Sequence, residues 1–158
     1  METPQPSEPL SFTVSGHISK TCHEVYEAVA DPDQLSCYFT TGGAKGRLEV
    51  GTEVTWDFHD FPGRFPVQVI QNIQDKKIVI KWAGEWAAAD DGMNTVTFEF
   101  QPIAEATRTK VKITEAGWLS TPQGLAGALG NCEGWTGMLA AMKIWLEHGI
   151  NLREGFYK

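Results

Sequence analysis

Apolar and polar residues alternate with a period of two through most of the first two-thirds of the chain. Leu10-Ser11-Phe12-Thr13-Val14-Ser15-Gly16-His17-Ile18 places its apolar side chains on one face, which predicts a strand with one buried side. Glu53 to His59 repeats the pattern with Val54, Trp56 and Phe58. So do Phe65, Val67 and Val69, then Ile78, Ile80 and Trp82, then Val96, Phe98 and Phe100, and last Val111, Ile113 and Glu115. Pro66 marks an edge or a bulge in its strand. A further short strand is expected at Arg47 to Val50. Turns at Asp60-Phe61-Pro62-Gly63, Asp75-Lys76-Lys77 and Pro102 to Thr107, and a polar loop from Gly84 to Met93, separate these runs. No helical pattern interrupts the series, so the sheet is antiparallel. Alternation this regular leaves one face wet and requires that something cover the other.

The helical periods lie on either side of the main strand series. Thr21-Cys22-His23-Glu24 has the form of a capping box and predicts a short helix carrying Val25, Tyr26, Ala28 and Val29 up to Asp31-Pro32. A second short helix is expected from Asp33 to Phe39, with Leu35, Tyr38 and Phe39 inward, until Gly42-Gly43 breaks the pattern. Near the end, Ser120-Thr121-Pro122 has a hydroxyl cap with Pro at the first turn. Beyond it Trp135, Met138, Leu139, Met142, Trp145 and Leu146 fall within one arc of a helix, while Lys143, Glu147, His148 and Asn151 fall outside it. That long helix, apolar face down, is the expected cover of the sheet.

With 158 residues and no visible linker or repeat, residues 10–158 are expected to form one domain, after a short disordered tail at residues 1–9. The formal charge of −7, with no run of Lys or Arg, speaks against nucleic acid and against an anionic membrane surface. No stretch is apolar enough to insert into a membrane, and the start lacks the form of a secretory signal. The three cysteines, Cys22, Cys37 and Cys132, are odd in number and form no CxxC pair, which points to a reducing, cytoplasmic setting. Neither metal-ligand spacing nor a phosphate-binding glycine loop is present, so no cofactor is expected.

Several pieces resemble one known family. Lys20-Thr21-Cys22-His23-Glu24-Val25-Tyr26-Glu27-Ala28-Val29-Ala30-Asp31-Pro32 looks like the helix after the first strand of START-like (SRPBCC) domains. Leu35 with Tyr38-Phe39, Gly51 with Trp56, Lys81-Trp82, Thr114-Glu115-Ala116-Gly117, and Glu133-Gly134-Trp135 leading to Leu139 follow in order. The set resembles the subfamily named after the C-terminal domain of the heat-shock protein 90 ATPase activator. The resemblance implies an α+β helix-grip fold: a curved antiparallel sheet of six or seven strands wrapped around a long C-terminal helix, with two short helices after the first strand. It also implies, in many members, a pocket, with lipids, polyketides, hormones or nothing identified inside. Tyr38 stands where the family commonly has Trp. The sequence holds no counterpart of the separate N-terminal domain through which the co-chaperone docks, so direct activation of the chaperone is not expected.

The six Trp and eight Phe either fill a thick core or line a cavity. As a pocket lining, the candidates are Trp56, Phe58, Phe65, Trp82, Phe98, Phe100, Trp135, Met138 and Met142; as a solid core the same residues need no ligand. Glu115 shares the inward face of Val111 and Ile113 near a strand end, a candidate acid, base or polar anchor. Its plainer alternative is a solvated strand end or a partner for the helix start. Tyr38 and Arg64 are the weaker catalytic candidates beside it. His59-Asp60 at a hairpin tip offers proton transfer or merely a polar turn. Gly127, Gly130, Gly134, Gly137 and Ala141 form a ridge of small residues along the long helix, expected to pack closely on the sheet rim or on the second subunit of a homodimer. Three functions are then expected as alternatives: binding of a small hydrophobic or amphipathic molecule; an enzyme of the cyclase/aromatase or dehydratase kind, which the resembled superfamily includes, using the same pocket; or a stress-related, chaperone-associated interaction module with a closed core.

Overall fold

The computed structural model describes residues 7–61 and 63–158. Seven antiparallel strands form one sheet in the spatial order β1-β7-β6-β5-β4-β3-β2. In chain order these are β1 (Leu10–Ile18), β2 (Gly43–Lys45), β3 (Val54–Asp57), β4 (Phe65–Ile73), β5 (Lys77–Ala83), β6 (Met93–Ile103) and β7 (Arg108–Trp118). Helices α1 (Cys22–Ala30) and α2 (Pro32–Tyr38) follow β1, and α3 (Pro122–His148) closes the chain's regular structure. This is the helix-grip architecture, with two short helices after the first strand and a long C-terminal helix.

Local chemistry sets the helix ends. The Thr21 hydroxyl accepts from the Glu24 amide while the Glu24 carboxylate accepts from the Thr21 amide, so both groups of the capping box are engaged. These hydrogen bonds hold the Glu24 carboxyl below its ordinary range. Asp31 ends α1 and caps α2, accepting from the Asp33 amide with Pro32 at the first helical position. Thr121 caps α3 in the same way, ahead of Pro122. Its other end is Gly149, whose φ of 69° lets the chain turn left-handed and donate to the Trp145 carbonyl at 2.8 Å.

The strand faces follow the period of two. Ile78, Ile80, Val96, Phe98, Val111 and Ile113 are fully buried on the inner face. Val25, Val29, Leu35 and Tyr38 of α1 and α2, and Met138 and Met142 of α3, close over them. Trp135 of α3 meets Phe98 edge to face at 5.5 Å between ring centroids, and Leu139 reaches over Gly16 of β1.

Two strand expectations change. Residues Arg47 to Val50 are not a strand: Leu48 turns inward, fully buried, with its amide on the Ala30 carbonyl, and Arg47 forks onto Glu27 at 2.6 and 2.8 Å. The edge strand beside β3 is instead β2, which begins at the glycine pair that was expected only to break the pattern. Pro66 lies opposite Thr55 of β3, before β5 joins the other side of β4 at Gln68, so its missing N–H faces no strand. The irregularity in that strand comes four residues later, at Ile70. Of the expected tail, residues 1–6 lie outside the described residues. Ser7–Pro9 has no regular structure, and the Glu8 carbonyl accepts from the Ser120 hydroxyl.

Candidate functional site

The inner face of the sheet is not filled to its end. β5 places Trp82, and β6 places Asn94, as direct cross-strand neighbours; Glu115 of β7 stands opposite Val96, one inward position along. Glu115 and Asn94 are both fully buried. The Glu115 carboxylate accepts from Trp135 Nε1 at 2.8 Å, Trp82 Nε1 at 3.0 Å, Asn131 Nδ2 at 3.0 Å and Asn94 Nδ2 at 3.2 Å. Two indoles and two amides therefore donate directly to one carboxylate. All four neighbours donate, which is the environment an acceptor-only group requires.

Above this carboxylate the inner layer opens. A cleft of about 470 Å³ lies between the sheet, α3 and the chain's last residues. Trp82 and Trp135 border it, with ring centroids 5.3 Å apart, and Phe39, Phe58 and Phe65 continue the aromatic wall. On the α3 side the border is Gly130, Asn131 and Gly134. A Cβ at Gly130 or Gly134 would meet nothing within 4 Å, so the missing side chains are part of the open space. Three other members of the small-residue ridge do pack closely: Ala141 is buried, and Gly127 and Gly137 have no room for a side chain. At Gly127 a Cβ would press on Trp118 at 2.8 Å, and at Gly137 it would collide with the Tyr157 hydroxyl.

The remaining wall comes from the segment after α3, which folds back over the hairpin between β3 and β4. Arg153 forks onto Asp60 at 2.6 and 2.9 Å, and the pair is buried, with side-chain exposures of 7% and 9%. The Arg153 guanidinium holds the Asp60 carboxyl below the usual carboxylate range. It also lies over the Tyr157 ring at 4.7 Å and the Phe58 ring at 5.6 Å.

The predicted site residues divide accordingly. Phe58, Phe65, Trp82 and Trp135 border the cleft, and Glu115 lies directly beneath it, holding two of those rings. Trp56, Phe98, Phe100, Met138 and Met142 are packed in the core instead, away from the cleft. Nor do the weaker catalytic candidates join Glu115. Tyr38 is fully buried and donates to the Ala28 carbonyl at 2.8 Å, and burial pushes its phenol well above its ordinary range. Arg64 is exposed. Of the hairpin pair, Asp60 is taken by Arg153, and His59 is exposed, 3.7 Å from Glu154.

Some site residues were not anticipated. Asn94 lies two residues before Val96 and so on the same strand face, and Asn131 lies one helical turn before Trp135; both positions were legible by parity. Arg153 and Tyr157 were not legible, because a ten-residue tail after a helix carries no period that says where it folds.

Residues 21–147 match the model of the family described as Activator of Hsp90 ATPase homolog 1-like protein. The chain belongs to that family. Solved structures agree on the fold across nearly the whole chain. A structure of the protein SSP2350 from Staphylococcus saprophyticus superposes with a TM-score of 0.75 at 23% identity, covering 91% of this chain and 96% of that one. The Aha1 dimer from Colwellia psychrerythraea gives 0.72 at 22% identity, covering 89% and 98%. CalU16 from Micromonospora echinospora gives 0.68 at 16% identity, covering 92% and 79%. No curated protein matches the chain. Family membership and these likenesses establish the START-like fold with its Hsp90-activator-like subfamily. The match begins at the capped N-terminus of α1 and ends one residue short of the end of α3, so it spans every element that builds the buried carboxylate. Among the described residues, no helix is long and apolar enough to cross a membrane.

Proposed function

We propose that this chain binds a small hydrophobic or amphipathic molecule in the cleft between the sheet and α3. The observation that carries the reading is the Glu115 node. It holds Trp82 and Trp135 by their N–H edges, and so fixes two large rings beside an open space that they would otherwise collapse to fill. A cleft of about 470 Å³, mostly aromatic with a few fixed polar groups, has the size and make-up of a small-molecule site. The rings are held before any ligand arrives, so less ordering remains to oppose binding.

An enzymatic reading has less support. Every hydrogen-bonding position of Glu115 is engaged by a protein donor, Tyr38 is committed to a backbone carbonyl, and Arg64 lies outside. Self-association has a modest basis: one neighbour in fold is described as a dimer, and Leu125 and Leu129 are exposed one turn apart on α3. The three free cysteines fit a cytoplasmic setting.

Thermal unfolding against fatty acids, flavonoids, sterols and aromatic polyketides tests the reading. A ligand at about 100 times its Kd adds about 2.7 kcal/mol, which at this length raises the midpoint by roughly 5 to 10 °C. Gly134→Leu is the control: it fills the cleft without removing a contact, so the variant is expected to fold and to lose the shift. A shift that survives in Gly134→Leu overturns the cleft as the site.

A further inference from the structure

The charges around the cleft narrow the class of ligand, given that the cleft is a binding site. Seven aromatic rings border it. At one end these rings already carry cations of the chain itself. Arg153 lies over Tyr157 and Phe58, and the Lys158 ammonium is 4.4 Å from the Phe61 centroid. At the other end, among the described residues, no cation stands over Trp82, Trp135, Phe65 or Phe39.

The unoccupied end is also the more electron-rich one. Trp82 and Trp135 both donate their indole N–H to the Glu115 carboxylate. A hydrogen bond from N–H to an anion pushes electron density back into the ring and makes the π-face a better partner for positive charge. Indole is already the best of the aromatic side chains in this role, and desolvation strengthens the attraction. Both rings border the cleft, 5.3 Å apart and tilted by 40°.

The formal charges agree. Both terminal nitrogens of Arg153 bind Asp60, so that pair is neutral as a unit. The charges without an opposite partner are the Glu115 carboxylate beneath the cleft, the Glu133 carboxylate, exposed at its border, and the Lys158 ammonium over Phe61. An anionic headgroup at the Trp82 and Trp135 end would meet the Glu115 carboxylate with no cation of the described residues over those rings.

We propose that the cleft selects an organic cation, an amine or quaternary ammonium carrying an apolar or aromatic body, with the positive centre at the Trp82 and Trp135 end. Neutral ligands of the same shape bind more weakly, and carboxylates such as fatty acids are disfavoured.

Isothermal titration of the full chain with three probes tests this. Benzyltrimethylammonium supplies the cation. Neopentylbenzene has the same shape with carbon in place of nitrogen, and 3-phenylpropanoate carries the opposite charge. The expected result is binding of the cation roughly ten-fold or more tighter than its neutral isostere, with the anion weakest. Glu133→Gln, an exposed change that leaves the fold intact, is expected to weaken the cation roughly two- to five-fold and to leave the neutral probe unchanged. Equal or tighter binding of neopentylbenzene overturns the charge selectivity and leaves the cleft reading standing. Cation binding that does not compete with the neutral probe, or that survives in Gly134→Leu, overturns the location. Failure of all three probes to bind at millimolar concentration overturns this inference and the cleft reading together.

Discussion

Glu115→Gln is the sharpest test of the carboxylate node, because it changes one atom and one charge and nothing in shape. The two carboxylate oxygens divide the donors between them. Oε1 receives Trp135 and the shorter bond from Asn131, and Oε2 receives Trp82 and Asn94 with a longer contact from Asn131 at 3.3 Å. The amide of a glutamine must replace one oxygen by NH₂. If it replaces Oε2, Asn94 can adapt by turning its own amide over, since its Oδ1 is buried without a partner and is free to accept. Asn131 can turn in the same way if the NH₂ replaces Oε1. The indoles cannot: Trp Nε1 donates only. Either placement therefore strands one buried indole N–H against another N–H.

A buried donor left without an acceptor costs about 1–3 kcal/mol. The surviving bonds also fall from charge-assisted to neutral, a loss of roughly 1 kcal/mol each. Against this, the glutamine has no charge to desolvate, which returns part of the cost. The weakened bonds and the relieved desolvation oppose each other, so the stranded indole sets the net loss expected, about 1–3 kcal/mol, or roughly 2 to 12 °C in the unfolding midpoint at this chain length. Calorimetry gives the midpoint, and near-ultraviolet circular dichroism reports whether Trp82 and Trp135 lose their fixed environment. A glutamine variant as stable as the native chain, with its aromatic dichroism intact, would refute the reasoning. It would mean that burying the charge costs as much as four donors return.

Three further outcomes are expected. Asp60→Asn leaves the Arg153 guanidinium buried without its partner and is expected to cost about 3–5 kcal/mol by urea unfolding. The native Asp60 carboxyl titrates below its unfolded value of about 3.9, so the stability from the pair is complete above that value and is lost as pH falls through the lower native one. The gap between native chain and variant should thus be flat near neutral pH and close below about pH 4; a gap that closes above about pH 5 contradicts the assignment. Gly134→Ala adds a side chain where nothing stands within 4 Å and removes a mid-helix glycine, so it is expected to stabilise the fold by up to about 1 kcal/mol, read as a higher thermal midpoint. Gly137→Leu drives into the Tyr157 hydroxyl and is expected to cost about 1–3 kcal/mol, with release of the C-terminal segment seen as faster amide exchange there; an unchanged variant by calorimetry and sizing counts against that contact.

Period and parity were enough to read the strands that face the core, both short helices and the long one, because burial forces those patterns on the sequence. They were enough for Glu115 as well, since Val111 and Ile113 fix which way it points. The same rules could not separate the residues that border the cleft from those that fill the core. Trp56, Phe98, Met138 and Met142 share faces with Trp82 and Trp135, and alternation says only that a side chain turns inward, not whether its neighbours reach it. The short edge strand escaped for a different reason. Gly43–Lys45 carries almost no alternation, and its pairing with β3 is fixed by the chain entering from α2. The tail was silent because Arg153 finds Asp60 across 93 positions of sequence, and an isolated charge pair leaves no periodic trace.

What keeps one end of this inner layer hollow is a balance between side chains that are large and side chains that are missing. Toward the middle of the sheet, Ile80, Val96, Phe98 and Ile113 meet Met138 and Met142, flexible thioethers that fill irregular gaps, and the layer is solid. Toward the end, α3 presents Gly130 and Gly134 where it could have presented methionine or leucine, and each mid-helix glycine costs about 1 kcal/mol against alanine. A gap of that kind would close if its neighbours were free to move into it. Trp82 and Trp135 are the neighbours large enough to do so, and their N–H groups are tethered to a carboxylate that cannot follow them, held as it is on β7 between β1 and β6. Collapse would trade packing of the rings for unpaired indole donors and an underserved buried charge. The glycines and the glutamate therefore act as one device: the first withholds the filling and the second prevents the walls from supplying it. A variant that restores the helix side chains should seal the cleft and leave the node intact. One that removes Glu115 should let the rings move into the cleft while the glycines remain.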